Sequence, residues 1–311
     1  MSITKRIDNT ITMPPEYYSV TPPAPHSVKI DLMRTCNFKC QFCYHSKIAA
    51  HKGAMEWNTY LRILDDLSHL RVQEVAPFFF GESFLHPRLP EAIAEAKRLF
   101  PYVFLTTNGS LATPHKVKRC MAAGLDSLKF SLNYSDSAQM AQIAQVPPLF
   151  FENVKRNVKE AHRIRQEGEH ECGLYASYIL YDDEQEAKMK PLIEELAPYL
   201  DEIYALPLYN QAAKVEHDGW EFSGGNRGRA DNMVSPLPCW ALFREGHVNY
   251  DGTLCGCCFS VSEDFTMGDL NKQTFMEAWH SPKFQALRQK HLDGDIRGTP
   301  CEGCVVQTRS E

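Results

Sequence analysis

Cys36-Asn37-Phe38-Lys39-Cys40-Gln41-Phe42-Cys43 sets three thiols within eight residues, just after a short apolar run, Val28-Lys29-Ile30-Asp31-Leu32. Thiolates hold soft metals and iron–sulfur clusters. Three Cys spaced CxxxCxxC suit three corners of a 4Fe–4S cube and leave the fourth iron without a protein ligand. An iron left open in this way is a place for chemistry.

Outward from this loop the chain alternates two periodicities. Short β-rich runs at 28–32, 74–80, 102–107, 126–132, 174–180 and 202–207 are separated by helical patterns near 56–70, 89–99, 114–123, 149–166 and 184–199. Trp57, Leu61, Leu64 and Leu67 make one apolar helix face, and Val154 and Val158 sit four apart among charges. Strands alternating with helices predict βαβ units and an α/β fold with a parallel sheet. Six strands are too few for an eight-stranded barrel, so the expected closure is a partial (β/α)6 barrel spanning 28–210. Ligands of such sheets sit at the C-terminal strand ends, which is where the Cys36 loop falls.

Residues 1–27 carry Pro14, Pro15, Pro22, Pro23 and Pro25 and read as a lead segment with little structure of its own. Residues 211–238 read as a connecting loop; Arg227, Arg229 and Asp231 lie in its Gly-rich part, where they could touch substrate over the barrel mouth. From Cys239 to residue 311 a smaller unit is expected. It has a hairpin, 246–254, turning at Asp251-Gly252, and a helix over 273–290.

Composition narrows the class. Across 311 residues, 43% hydrophobic and 23% charged content are ordinary for a globular protein. A net charge of −6 gives no support to a large nucleic-acid surface, without excluding a local basic groove. No apolar run reaches the ~20 residues of a membrane span, and the N-terminus has no apolar signal core. Eleven Cys, an odd number clustered near both ends, disfavour a disulfide scaffold and point to two metal sites in a reducing cytoplasm. A zinc knuckle at the first cluster, a four-cysteine zinc site at the second, and hence a zinc-binding interaction protein, are the non-enzymatic alternative.

With Phe42 before its third Cys, the Cys36/Cys40/Cys43 loop resembles the signature of radical S-adenosylmethionine (radical SAM) enzymes. The resemblance implies that the amino acid moiety of SAM chelates the open iron, and that an electron from the cluster releases a 5′-deoxyadenosyl radical that abstracts hydrogen. Phe80-Gly81-Glu82-Ser83 resembles the family's GGE-type motif, with Phe80 and Ser83 replacing its usual Gly and Pro. Thr107-Asn108-Gly109 resembles a TNG strand end, and Ser131-Leu132-Asn133 an S-x-D in which Asn133 replaces Asp. The resemblance thus implies SAM contacts from Phe42, Gly81, Glu82, Ser83, Thr107, Asn108, Ser131 and Asn133. The residues alone also fit strand-end capping.

The C-terminal set is similar to the SPASM/twitch extension of the same family: Cys239, Cys255-Gly-Cys257-Cys258, Gly268-Asp269-Leu270 and Cys301-Glu-Gly-Cys304. It lacks the CxxCxxxxxC run of a full SPASM domain, so one auxiliary 4Fe–4S cluster is implied, held by Cys239, Cys257, Cys301 and Cys304. Cys255 rivals Cys257, since strand alternation puts both on one face. Cys120, Cys172, Cys255 and Cys258 remain as buried thiols or hydrogen-atom donors. The expected enzyme oxidises a small polar substrate (a sugar, nucleoside or amino-acid derivative) with flavodoxin or ferredoxin as reductant. A redox-neutral isomerase and a peptide maturase or epimerase are the alternatives. Tyr178, Tyr209, Asn210, Arg227 and Arg229 are the substrate candidates.

Overall fold

The computed structural model describes residues 2–48, 52–211, 214–216, 237–259, 263–302 and 304. Six parallel strands run in chain order: β1 (Ser27–Ile30), β2 (Glu74–Ala76), β3 (Tyr102–Thr107), β4 (Ser127–Ser131), β5 (Gly173–Leu180) and β6 (Glu202–Pro207). Register alternates faces. Val28, Val75, Val103, Leu128 and Leu174 are buried on the outer face, beneath α2 (Trp57–Ser68), α3 (Leu89–Leu99), α4 (Pro114–Ala122), α5 (Ser137–Ala144), α6 (Leu149–Glu167) and α7 (Gln185–Leu196). Lys29, Phe104, Ser127, Lys129 and Tyr204 line the interior, around a cavity of about 250 Å³. The expected α/β partial barrel is the observed fold.

Differences from the expected elements have local causes. β2 stops at Ala76 because Pro77 has no N–H for the ladder. Phe78 to Phe80 then pack as aromatics, Phe78 edge-on to Phe104 at 5.6 Å between centroids. α5 was not anticipated; Asp136 caps it, accepting from Ala138 and Gln139 N–H groups.

The segment 1–27 is structured, contrary to expectation. Ser2 caps a helix, α1 (Ile3–Ile11), whose Ile3, Ile7 and Ile11 form one apolar stripe. That stripe closes the barrel floor, with Arg6 paired to Glu74 at 2.7 Å. The proline-bearing remainder is strapped down: Trp279 Nε1 donates to Pro23 O at 3.0 Å and Arg288 to Val20 O at 3.2 Å.

The C-terminal unit extends the same sheet. After a short helix, α8 (Ala241–Arg244), strand β7 (Glu245–Val248) pairs parallel with β1, Lys29 opposite His247. Antiparallel β8 (Thr253–Cys255) and β9 (Thr266–Asp269) complete nine strands in the order β6-β5-β4-β3-β2-β1-β7-β8-β9. The hairpin turns at Asp251-Gly252 as expected, with Gly252 at φ 84°. The helix expected over 273–290 is two, α9 (Phe275–Trp279) and α10 (Pro282–Leu292), because Ser281-Pro282 caps a new start.

Candidate functional site: two cysteine centres on one sheet

The Cys36 loop leaves β1 at its C-terminal end and is clamped from four sides. Asn108 Nδ2 donates to Asn37 at 3.0 Å and approaches Cys36 Sγ at 3.9 Å. Lys39 and Gln41 N–H groups donate to carbonyls at the end of α5, at 3.0 and 2.9 Å. Gln211 accepts from Tyr44 N–H at 2.7 Å and donates to Phe42 O at 2.9 Å. The Tyr134 hydroxyl lies 2.8 Å from Cys40 Sγ. Burial pushes the Cys36 thiol up to about 12, with the Glu82 charge adding to it; burial likewise raises Cys40 and Cys43. Three adjacent, largely desolvated thiols whose sulfurs meet a hydroxyl and an amide fit a cationic iron–sulfur group, which would favour their thiolate forms.

The rim around this loop departs partly from the implied SAM contacts. The Glu82 carboxylate is buried and accepts from Thr107 Oγ1 and Asn108 N–H, both at 2.8 Å, and from Phe84 N–H at 3.1 Å. Thr107 and Asn108 therefore tie β3 to the β2 loop and the Cys36 loop. Ser83 is buried and donates to Pro77 O at 3.0 Å. Gly81 has a steric reason: its Cα abuts the Met33–Thr35 backbone, leaving no room for a side chain. Ser131 shares the interior-facing register of Lys129. Asn133 is buried with its Oδ1 unpaired among the described residues, as fits a contact to a polar cofactor. The Phe42 ring leans on Tyr181, 6.0 Å between centroids.

At the other centre Cys239, Cys257, Cys301 and Cys304 come together. Cys257 has Cys239 and Cys301 as charge neighbours, and Cys301 has Cys239 and Cys304. Four convergent, mostly buried thiols are a complete donor set for a closed cluster. Cys255 is not among them, and the expected shared face with Cys257 fails. β8 ends at Cys255 with a register shift, and its Sγ accepts from Asn249 Nδ2 at 2.9 Å. Cys258 turns instead toward Glu245 and His247. The neighbouring Cys257 thiol, then His247 and the Lys29 charge, hold its thiol well below the ordinary range.

Just ahead of the Cys36 loop lies Arg34, 2% exposed. It pairs with Asp31 at 2.7 Å, donates to Asn249 Oδ1 at 2.9 Å, and sits between the Phe80 and Tyr250 rings at 5.1 and 5.2 Å. Through Asn249 it reaches Cys255.

Other candidates are placed elsewhere. Tyr178 alternates onto the helix-facing side of β5 with Ala176, near Glu186 of α7, so it is not a cavity residue. Cys120 is buried in α4, and Cys172 lies at the opposite, N-terminal rim. The Tyr209 ring lies 5.6 Å from Phe259, and Asn210 O accepts from Lys214 and Val215 N–H groups. Arg227, Arg229 and Asp231 lie outside the described residues. Sequence reading missed Arg34, Tyr134, Gln211, Glu245 and His247. Only the last two left a signal: Glu245, His247 and Asn249 alternate with Gly246 and Val248, a polar face on a buried strand.

The chain belongs to the radical SAM superfamily, which it matches over residues 30–196, more than half its length, with an iron–sulfur cluster-binding SPASM domain over 239–305. A 4Fe–4S cluster and S-adenosylmethionine are thus its cofactors, and the SPASM domain binds further iron–sulfur. It is similar to a tungsten-containing aldehyde ferredoxin oxidoreductase cofactor-modifying protein of Pyrococcus furiosus, 28% identical over 35% of this chain and 31% of that protein. It is also similar to a PqqA peptide cyclase of Xanthomonas oryzae pv. oryzae, 30% identical over 40% of this chain and 33% of that protein. The match thus spans about a third of these curated relatives. Among solved folds, BtrN with AdoMet and 2-DOIA matches with TM-score 0.60 at 16% identity, covering 92% of this chain and 96% of that one. Streptococcus suis SuiB bound to S-adenosylmethionine matches with TM-score 0.68 at 13% identity, covering 91% and 71%. No described helix is long and apolar enough to cross a membrane.

Proposed function

We propose that this protein is a radical SAM enzyme that oxidises its substrate by two electrons. The observation that carries this reading is the pairing of an open three-thiol site with a closed four-thiol site. With its cofactors bound, the first site supplies a 5′-deoxyadenosyl radical. Cys239, Cys257, Cys301 and Cys304 would hold one auxiliary cluster, whose chemistry there is to accept an electron. The chain's own residues do the positioning. Asn108, Gln211 and Tyr134 fix the Cys36 loop, Asn133 offers a free acceptor at the rim, and α1 shuts the barrel floor against water.

The similarity to a peptide cyclase supports a residue within a peptide as substrate, ahead of the small polar molecule expected from sequence. The near-complete overlap with the BtrN fold keeps the small molecule as second reading. A redox-neutral isomerisation would leave the four-thiol site without a task.

The test is anaerobic reconstitution followed by an assay for 5′-deoxyadenosine. About eight irons per chain and SAM cleavage are expected. Cys301→Ala should lower iron toward about four and leave SAM cleavage uncoupled from product. Zinc uptake without iron, or undiminished product in Cys301→Ala, would overturn the reading.

A further inference from the structure

The cavity of about 250 Å³ inside the barrel is smaller than a drug-sized ligand needs. Pockets for such ligands run to about 300–1,000 Å³, so this one takes a single residue-sized group. Its wall carries three cations, Arg6, Lys29 and Lys129, and two carboxylates, Glu74 and Glu245. Arg6 meets Glu74 at 2.7 Å, and Lys29 meets Glu245 at 2.9 Å. Cys258 also borders the cavity and belongs to the Glu245 end, its sulfur within 4.8 Å of the ligand atoms of Glu245 and His247. Lys129 belongs to neither ion pair.

Lys129 sits mid-strand in β4, opposite Thr106 of β3, which borders the same cavity. Its ammonium lies 5.9 Å from the centroid of the Tyr204 ring. An ammonium has three donors, and one ring face does not use all of them. Trp240, just ahead of α8, forms another part of the wall. Its Nε1–H is buried without a hydrogen-bond partner among the described residues. An indole nitrogen can only donate, and a buried donor left unmet is costly to the folded chain. This part of the wall thus offers donors and a fixed positive charge, the complement of an anionic acceptor. One ammonium and one indole N–H match the single charge and two oxygens of a carboxylate, whereas a phosphate would bring a second charge.

We propose that this cavity is a carboxylate subsite of the substrate site, in which Lys129 and the Trp240 Nε1–H hold the acidic end of a residue-sized group. Lys129 supplies the charge-assisted bond and Trp240 the direction. With α1 across the floor, the acid is the inner end of the substrate, and the reacting C–H lies toward the rim that carries the Cys36 loop. Trp240 directly follows Cys239, so the wall that grips the acid is continuous with the four-thiol site. The inference rests on the proposed oxidation and narrows its substrate to an acid. An acidic side chain within a peptide and a small free acid present the same carboxylate.

The experiment is anaerobic titration calorimetry of the reconstituted protein with SAM. The probes are a capped alanine pentapeptide with a central glutamate, its glutamine counterpart, glutarate, and glutaramide. At least one acid should bind roughly tenfold or more tightly than its amide. Preference confined to the pentapeptide marks a peptide side chain as the source, and preference confined to glutarate marks a free acid; either supports the subsite. Lys129→Met should bring the acid's affinity down to the amide's, Lys129→Arg should keep the preference, and Trp240→Phe should weaken the acid roughly fivefold. If Lys129→Met does not fold, Lys129→Arg and Trp240→Phe carry the comparison. Equal binding of acid and amide, no binding of either acid, or a preference that survives Lys129→Met intact overturns the subsite. A wild type that loads only about four irons yet prefers the acid would refute the proposed function and keep the subsite. One that loads about eight without preference would do the reverse.

Discussion

Replacing Gly81 by Ala should damage the site more than any other single-carbon change at its rim. A Cβ there would lie 2.7 Å from the Thr35 carbonyl oxygen, 2.8 Å from the Arg34 carbonyl carbon, and closer still to the Met33 carbonyl oxygen. These are backbone atoms, so no side chain can swing aside. Restoring ordinary contact at about 3.4 Å requires the β2 loop and the chain entering the Cys36 loop to part by roughly 0.7 Å at the Thr35 oxygen alone, and by well over that at the nearer Met33 oxygen. That movement strains the Glu82 N–H bond to Thr35 O, now 3.0 Å. Overpacking of this kind costs about 3 kcal/mol, which is about 6–12 °C in the melting temperature. Thermal denaturation of metal-free protein measures the cost. Reconstitution should also give less iron at the Cys36 site and less SAM cleavage, while the four-thiol site loads. A variant that melts with the wild type and cleaves SAM normally would refute the reasoning.

Arg34→Met should lower unfolding free energy by about 3–5 kcal/mol, because Asp31 is left buried without its partner. Denaturant titration checks this, and adding Asp31→Asn should recover much of the loss; a neutral single variant would show that the pair holds nothing. The metal-free protein should also lose stability as pH falls below neutrality. Burial, with Arg244 and Arg6, holds the His26 pKa down to about 4. The unfolded chain takes up that proton from about pH 6.5 downward and the folded chain does not. His26 therefore contributes stability that is fully present above pH 6.5 and is lost toward pH 4, about 2–3 kcal/mol in all. His26→Gln should flatten the slope of melting temperature between pH 6.5 and 4.5; an identical slope would exclude His26 as its source.

The sheet and most helices were legible because each depends on local periodicity: α3 and β3 occur at the expected residues, and α2 and α6 within a residue or two. Failures came where a neighbour in space decides. Ile3, Ile7 and Ile11 make a helix only because a barrel floor is there to receive them. Tyr178 was a question of strand parity, and parity at β5 is set by the register Ser131 to Ser177, which no single sequence shows. Cys255 and Cys257 were expected to share a face on the rule for regular strands, and a register shift at the strand end voids that rule. The clamps on the cysteine loop come from Tyr134 and Gln211, remote in sequence and ordinary in type. Arg34 lies two residues before Cys36 yet looked like any exposed arginine, because its partners Asn249 and Tyr250 are more than two hundred residues away.

The pairing of β7 with β1 has a consequence for how this protein can be divided. β1 has β2 on one side and β7 on the other, so the C-terminal unit is the outer flank of the barrel's first strand and not an appended module. Cutting the chain before Cys239 would bare that strand along its length, including the charged register of Lys29, and invite edge-to-edge association. In this chain the two cysteine centres are therefore parts of one sheet. A family member that discards the second must find another strand, loop or helix to cover the first.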